Sequence, residues 1–69
     1  MRKKIVIVAT ANGARKVLEK WITEDMSCEL YVSRNARREC CVEVIYDSKG
    51  STDLRGLLQA AKGEIIELQ

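Results

Sequence analysis

Three cysteines carry most of the nucleophilic and metal-ligating capacity of this chain, because histidine is absent from all 69 residues. Histidine is the commonest general base, the usual phosphoryl acceptor in small carriers and the commonest metal ligand, so its absence weighs against most small-enzyme mechanisms. Cys40 and Cys41 are adjacent, whereas zinc and thioredoxin-type sites need intervening residues to bring two sulfurs together. Consecutive side chains on a strand point to opposite faces. Cys40 is therefore expected as core filler and Cys41 as a half-exposed small residue. Cys28 is expected across from Val44 or Tyr46, out of disulfide reach of either. No catalytic residue, metal or cofactor is expected.

The remaining polar candidates are weaker as chemistry and better suited to contacts. Asn12-Gly13 stands where a strand meets a helix and could offer backbone N–H groups to an anion, yet neither GxGxxG nor GxxxxGK[ST] surrounds it. A turn with a cap is the plainer account. Arg34, Arg37 and Arg38 group on one hairpin tip, with Arg2, Lys3 and Lys4 elsewhere. Such a tip could meet nucleic-acid phosphates or an acidic protein, or simply discourage strand-edge aggregation. Tyr31 could stack on a base, but a second sheet-surface aromatic is missing.

These residues are positioned by six elements that fill the chain almost end to end. Ile5-Val6-Ile7-Val8-Ala9 is a β-branched run without alternation, as expected of a central strand. Thr10 or Asn12 can cap the helix that follows, from about Gly13 to Asp25. Ala14, Val17, Leu18, Trp21 and Ile22 form one apolar helical stripe, with Trp21 as a core anchor. Arg15 with Glu19 and Lys20 with Glu24 make i, i+4 pairs contributing about 0.3 kcal/mol each when exposed.

From Cys28 the period becomes two, so Leu30 and Val32 face a core while Glu29, Tyr31 and Ser33 face away. Arg34 to Arg38 is the tip, and Cys40 to Tyr46 returns as a partner strand. If Val42 and Val44 share the core of Leu30 and Val32, Cys40 and Tyr46 point inward and Cys41, Glu43 and Ile45 outward. Asp47 to Gly50 is a turn cluster, and Ser51, Thr52 or Asp53 can cap a second helix bearing Leu54, Leu57, Leu58 and Ala61. Gly56 within it costs about 1 kcal/mol relative to alanine, which implies close approach of another element. Gly63 sits where a left-handed cap residue belongs. Glu64 to Leu68 is the last strand.

Strand, helix, strand, strand, helix, strand packs most simply as an antiparallel sheet with both helices on one face, a ferredoxin-like α+β sandwich spanning residues 1–69 as one domain. Strand order 4-1-3-2 is expected. An uncovered face bearing part of the first strand with Tyr31, Cys41, Ile45 and Ile65 follows, and so apolar a face usually meets a partner.

Two stretches resemble a known family. Ala11-Asn12-Gly13 with Ala14-Arg15 looks like the Asn-Gly-Leu-His-Ala-Arg turn of the histidine-containing phosphocarrier (HPr) family, with the Leu-His pair absent. Asp53 to Ala61 and then Lys62 to Ile65 is similar to that family's second helix and following strand. The resemblance implies an HPr-like open-faced sandwich as the alternative fold, in which the last strand would pair with the second. It also implies a regulatory relative that binds proteins without passing phosphate. In it Asp53, where a regulatory serine would stand, imitates the phosphorylated residue, so that Asp53, Arg55 and Gly56 form a helix-two contact surface. The element order also looks like that of ACT ligand-binding domains and heavy-metal-associated domains. In place of the latter's CxxC stands Ala9-Thr10-Ala11-Asn12.

Net charge of +2 is far from that of a dedicated nucleic-acid binder, and 46% apolar with 32% charged residues is a globular balance. The Ile5 to Ala9 run is too short for a signal-peptide core or a membrane span, and an odd cysteine count fits a reducing compartment. The chain is expected to be a cytoplasmic, non-enzymatic regulatory module. Its expected partner is another protein or a second copy of itself, and nucleic-acid binding through the arginine tip is the alternative.

Overall fold

Eight residues, Arg2–Ala9, form the first strand, β1, which begins three residues earlier than its β-branched run. The extension follows from pairing: β1 runs antiparallel to β3 (Cys40–Asp47) in unbroken register from Arg2↔Asp47 to Ala9↔Cys40. The ladder thus carries Arg2, Lys3 and Lys4 whatever their polarity. The structure is a computed structural model describing the backbone of residues 1–69 and the side chains of all but residues 50–52.

The elements run β1, α1 (Ala11–Thr23), β2 (Glu29–Arg34), β3, a 3-10 turn (Ser48–Gly50), α2 (Ser51–Ala60) and β4 (Ile65–Leu68). The sheet order is β2-β3-β1-β4 and every pairing is antiparallel. Read from the other edge this is 4-1-3-2, the ferredoxin-like βαββαβ sandwich. β4 pairs with β1, whereas the phosphocarrier-like alternative would pair it with β2.

Alternation along the strands puts Ile7 and Ala9 of β1 and Cys40, Val42 and Val44 of β3 under the helices. They meet Ala14 and Val17 of α1, Leu57 of α2 and Ala61 just beyond it. Ile7, Val17, Val42, Val44 and Leu57 are the largest fully buried side chains, each contributing roughly 1.5–3 kcal/mol of transfer free energy. Tyr46, Leu30, Leu54 and Leu58 pack around this centre, as their spacing predicts. Trp21 packs there too, and its indole N–H donates to the Cys28 carbonyl at 2.7 Å, pinning the approach to β2 onto α1. Both i, i+4 pairs of α1 form, Arg15 with Glu19 and Lys20 with Glu24.

Three apolar positions depart from the helical and alternating patterns. Ile22, expected on the buried stripe, is 68% exposed because α1 ends one residue later and its last turn overhangs the core. Val32 lies on the helix side, opposite Val42, yet is half exposed because β2 is an edge strand that the helices do not fully cover. Val8 lies opposite Cys41 on the face away from the helices, yet it is 2% exposed. The hairpin loop leans over that face: Asn35, Ala36, Arg37 and Glu39 line a concavity of about 270 Å³ with Glu67 and Gln69 from the far edge. Val8 is flanked on that face by Cys41 of β3 and Glu67 of β4.

The glycines divide sharply. Gly63 has φ 86°, the left-handed conformation expected after a helix. Gly13 lies in the first turn of α1, where an added Cβ would stand 2.7 Å from the Glu64 Cβ and 3.2 Å from the Ala9 Cβ. Only glycine lets the helix approach β4 so closely. Gly56 faces α1, but an added Cβ would meet only the flexible ends of Met26 and Lys20, at 3.5 and 3.6 Å. The close approach expected there is absent. The capping role considered for Ser51 and Thr52 lies outside the described side chains.

These contacts fix two opposite outcomes in denaturant-unfolding measurements. Gly56→Ala stabilises by up to about 1 kcal/mol, the helix-propensity difference. Gly13→Ala destabilises by roughly 1–2 kcal/mol, because overpacking against Glu64 and Ala9 outweighs the same propensity gain. Equal signs for the two would contradict the packing assigned to them.

Candidate functional site

The uncovered sheet face carries Val6 and Val8 from β1, Tyr31 from β2, and Cys41 and Ile45 from β3. Tyr31 sits opposite Glu43, and Ile45 sits between Glu29 and Lys4. Ile45 is therefore the diagonal neighbour, roughly 7–8 Å away, of both Tyr31 and Val6, which flank Glu43 in one row. Charged residues fill the alternate squares.

Those charges pair with each other. Arg2 bonds Glu29, the Tyr31 hydroxyl donates to Glu29 Oε1 at 2.8 Å, and Lys4 Nζ lies 3.8 Å from Glu43 Oε1. All four charged side chains are more than one-third exposed, so each pair contributes roughly 0–1 kcal/mol. They orient neighbours more than they stabilise the fold. Tyr31 remains 53% exposed, while Val6, Cys41 and Ile45 are half-buried.

Ile65, expected on this face, is not part of it. The β1–β4 register shifts between Val8 and Ala9, so Ile65 pairs with Ala9 and packs against the helix-side core. A bulge of this kind reverses the parity of every residue beyond it. Glu67, opposite Val8, is what β4 contributes instead.

The arginine tip is a built turn, and Asn35 builds it. The Asn35 Oδ1 accepts from the Arg37 and Glu39 N–H groups, each at 3.0 Å, and its Nδ2 donates to Glu39 Oε1 at 2.8 Å. Arg38 takes the left-handed conformation, φ 64°. The three guanidinium groups do not form one patch. Arg34 is tied to the Arg38 carbonyl at 2.9 Å, and Arg37 shares its concavity with Glu39 and Glu67. Asn35 was not among the sequence candidates, although an asparagine at the start of a hairpin loop is the usual sign of a side chain closing its own turn.

At the start of α1 the anion position is already taken. Thr10 is the N-cap, accepting from the Gly13 N–H at 3.0 Å, and its hydroxyl donates to Glu64 Oε2 at 2.5 Å. The Thr10 N–H also reaches the Glu64 carbonyl at 3.0 Å. The bond from Thr10 holds the Glu64 carboxyl below its ordinary value, with help from Asn12 and from the charge of Lys16 and against a smaller opposing effect of burial. Thr10 thus binds a carboxylate of its own chain, and the Gly13 N–H is taken up by the Thr10 hydroxyl.

The helix-two candidates also separate. Arg55 is exposed, Gly56 faces α1, and Asp53 lines a cavity of about 220 Å³ with Arg2, Cys28, Ile45, Tyr46 and Asp47. Burial first, and then the Asp53 charge, push the Cys28 thiol up, so it stays protonated. Cys28, Cys40 and Cys41 are free thiols, and the register splits the adjacent pair: Cys40 buried under the helices, Cys41 on the open face. Among the described residues, no group of three or more Cys, Asp or Glu side chains could hold a metal ion, and no helix is long and apolar enough to cross a membrane.

Compared with family models and with curated proteins, the chain matches none.

The Glu64 bond to Thr10 gives stability a defined pH dependence. A carboxyl whose folded value is lowered adds stability that is present above the ordinary glutamate value and lost as pH falls through the lowered one. Glu64→Gln is therefore less stable than the parent at neutral pH, and the gap closes on acidification through the carboxylate range. Urea midpoints measured across that range check this. A gap independent of pH would show that the carboxylate charge has no part in the cap.

Proposed function

We propose that the chain is a small, non-catalytic protein-binding module that works in the cytoplasm through its open sheet face. One observation carries this: Ile45 stands diagonal to Tyr31 on one side and to Val6 on the other, an apolar group on a face that no helix covers, framed by ion pairs too weak to resist exchange with a partner's charges. A half-exposed tyrosine flanked by aliphatic side chains is the composition that favours protein contacts. Two other surfaces are less supported. Of the three helix-two candidates, Arg55 alone projects freely to solvent, which weakens a regulatory surface built around Asp53. Nucleic-acid binding loses support because Arg34 is tethered to Arg38 and Arg37 lies among carboxylates.

The test begins with proteins retained from cell extract by the immobilised chain, each then purified and titrated calorimetrically. Ile45→Glu and Tyr31→Glu weaken the specific partner roughly ten-fold or more, the cost of burying an unpaired charge, with unchanged circular dichroism. A partner that binds both variants as it binds the parent would remove the sheet face from consideration.

A further inference from the structure

We infer that the exposed edge of β2 pairs with the same edge of a second copy of this chain, antiparallel about a two-fold axis at Tyr31, to give a continuous eight-stranded sheet. The inference goes beyond the binding module proposed above and does not depend on it, because it uses the strand edge rather than the sheet face.

The two edges of the sheet differ in how they are protected. Natural edge strands are blunted by shortness, bulges, proline or lysine. β4 has four residues and its pairing is interrupted by a register shift. β2 has six residues in unbroken register with β3, contains neither proline nor lysine, and presents its outer backbone N–H and C=O groups along its whole length. It also exposes two large apolar side chains on opposite faces of the same strand: Tyr31 at 53% and Val32 at 50%. A partner on either sheet face would cover one of them. A strand added to the edge covers both.

The sequence of β2 is complementary to itself in one antiparallel register. With Tyr31 opposite the second copy's Tyr31, Leu30 of each copy falls opposite Val32 of the other, and Glu29 opposite Ser33. Opposed residues then share a face, as a continuous sheet requires. On the helix side an aliphatic row, Leu30 and Val32 from both copies, closes over the exposed valine. On the open side the two tyrosines meet, an aromatic cross-strand pair.

Charge favours the same orientation. The loop before β2 carries Glu24 and Asp25, and the loop after it carries Arg37 and Arg38 against the single acid Glu39. Lys20 neutralises Glu24, which leaves Asp25 as the free charge at that end. Antiparallel pairing brings each acidic end beside the other copy's basic tip, whereas parallel pairing would place the two basic tips side by side.

Analytical ultracentrifugation of the full chain up to submillimolar concentration tests the inference. The parent is expected to dimerise. Val32→Lys, on the helix side of the edge, is expected to weaken the dimer roughly ten-fold or more, and Ile66→Glu, at a half-exposed position on the opposite edge strand β4, to leave it unchanged. Ser33 is exposed, so its variants keep the monomer fold and read the register directly. Ser33→Glu sets like charges opposite Glu29 at two places and weakens the dimer severalfold, whereas Ser33→Lys strengthens it. A parent monomeric throughout, a dimer that survives Val32→Lys or is lost in Ile66→Glu, or Ser33 variants without opposite effects would each overturn the proposal.

Discussion

Because β1 and β3 pair without a break from Arg2↔Asp47 to Ala9↔Cys40, the face to which each of their side chains points is decided once, for both strands together. A slip of one residue would turn one strand over against the other: with β1 held, Val42 and Val44 would go to the open face and Glu43 and Ile45 beneath the helices. The buried carboxylate alone would make that arrangement untenable. β2 inherits the frame from β3, and β4 inherits it from β1 up to the shift at Ala9. The separation of the adjacent cysteines, the checkerboard on the open face and the exposure of Val32 all follow from this ladder.

The helices are held to the sheet by a second constraint, the junction of Thr10, Gly13 and Glu64. Thr10 both ends the central strand and caps α1, so the direction of the helix is set within one residue of the sheet. Glu64 enters the last strand from the far side and reaches the same cap through its side chain and its carbonyl. Gly13 lets the two backbones come together there. A helix N-terminus carries a partial positive charge, and here a carboxylate from the same chain answers it. An arrangement that looks in sequence like an anion site is thereby turned into a structural clasp.

The period of the apolar residues made most of this fold legible. Val17, Leu57, Val42 and Val44 could be placed in the core from spacing alone, because nearest-neighbour periodicity determines which face is covered. Thr10 and Gly63 were legible from the local chemistry of caps. Features that depend on distant parts of the chain were not. Ile65 was misplaced because a bulge changes parity without leaving a mark in composition. Val32 lost its expected burial because it lies on an edge strand. Gly56 looked like a point of contact, yet of the two helical glycines it is Gly13 whose neighbours require glycine. The Tyr31 and Ile45 positions on the open face could be read from alternation, while their dilution by Arg2, Glu29, Lys4 and Glu43 depended on the register between strands.

Size explains why such a molecule would leave apolar groups in water. A chain of 69 residues has two short helices with which to cover four strands, and two helices can cover the central pair but not both edges. The apolar side chains left over fall where coverage ends: on the last turn of α1, on β2 and on β4. On β4 they adjoin a bulge and a glutamate, which discourage an added strand. On β2 they sit on an uninterrupted strand whose two flanking loops differ in charge. Exposure of comparable extent therefore has different consequences at the two edges, because backbone continuity decides which of them can be extended.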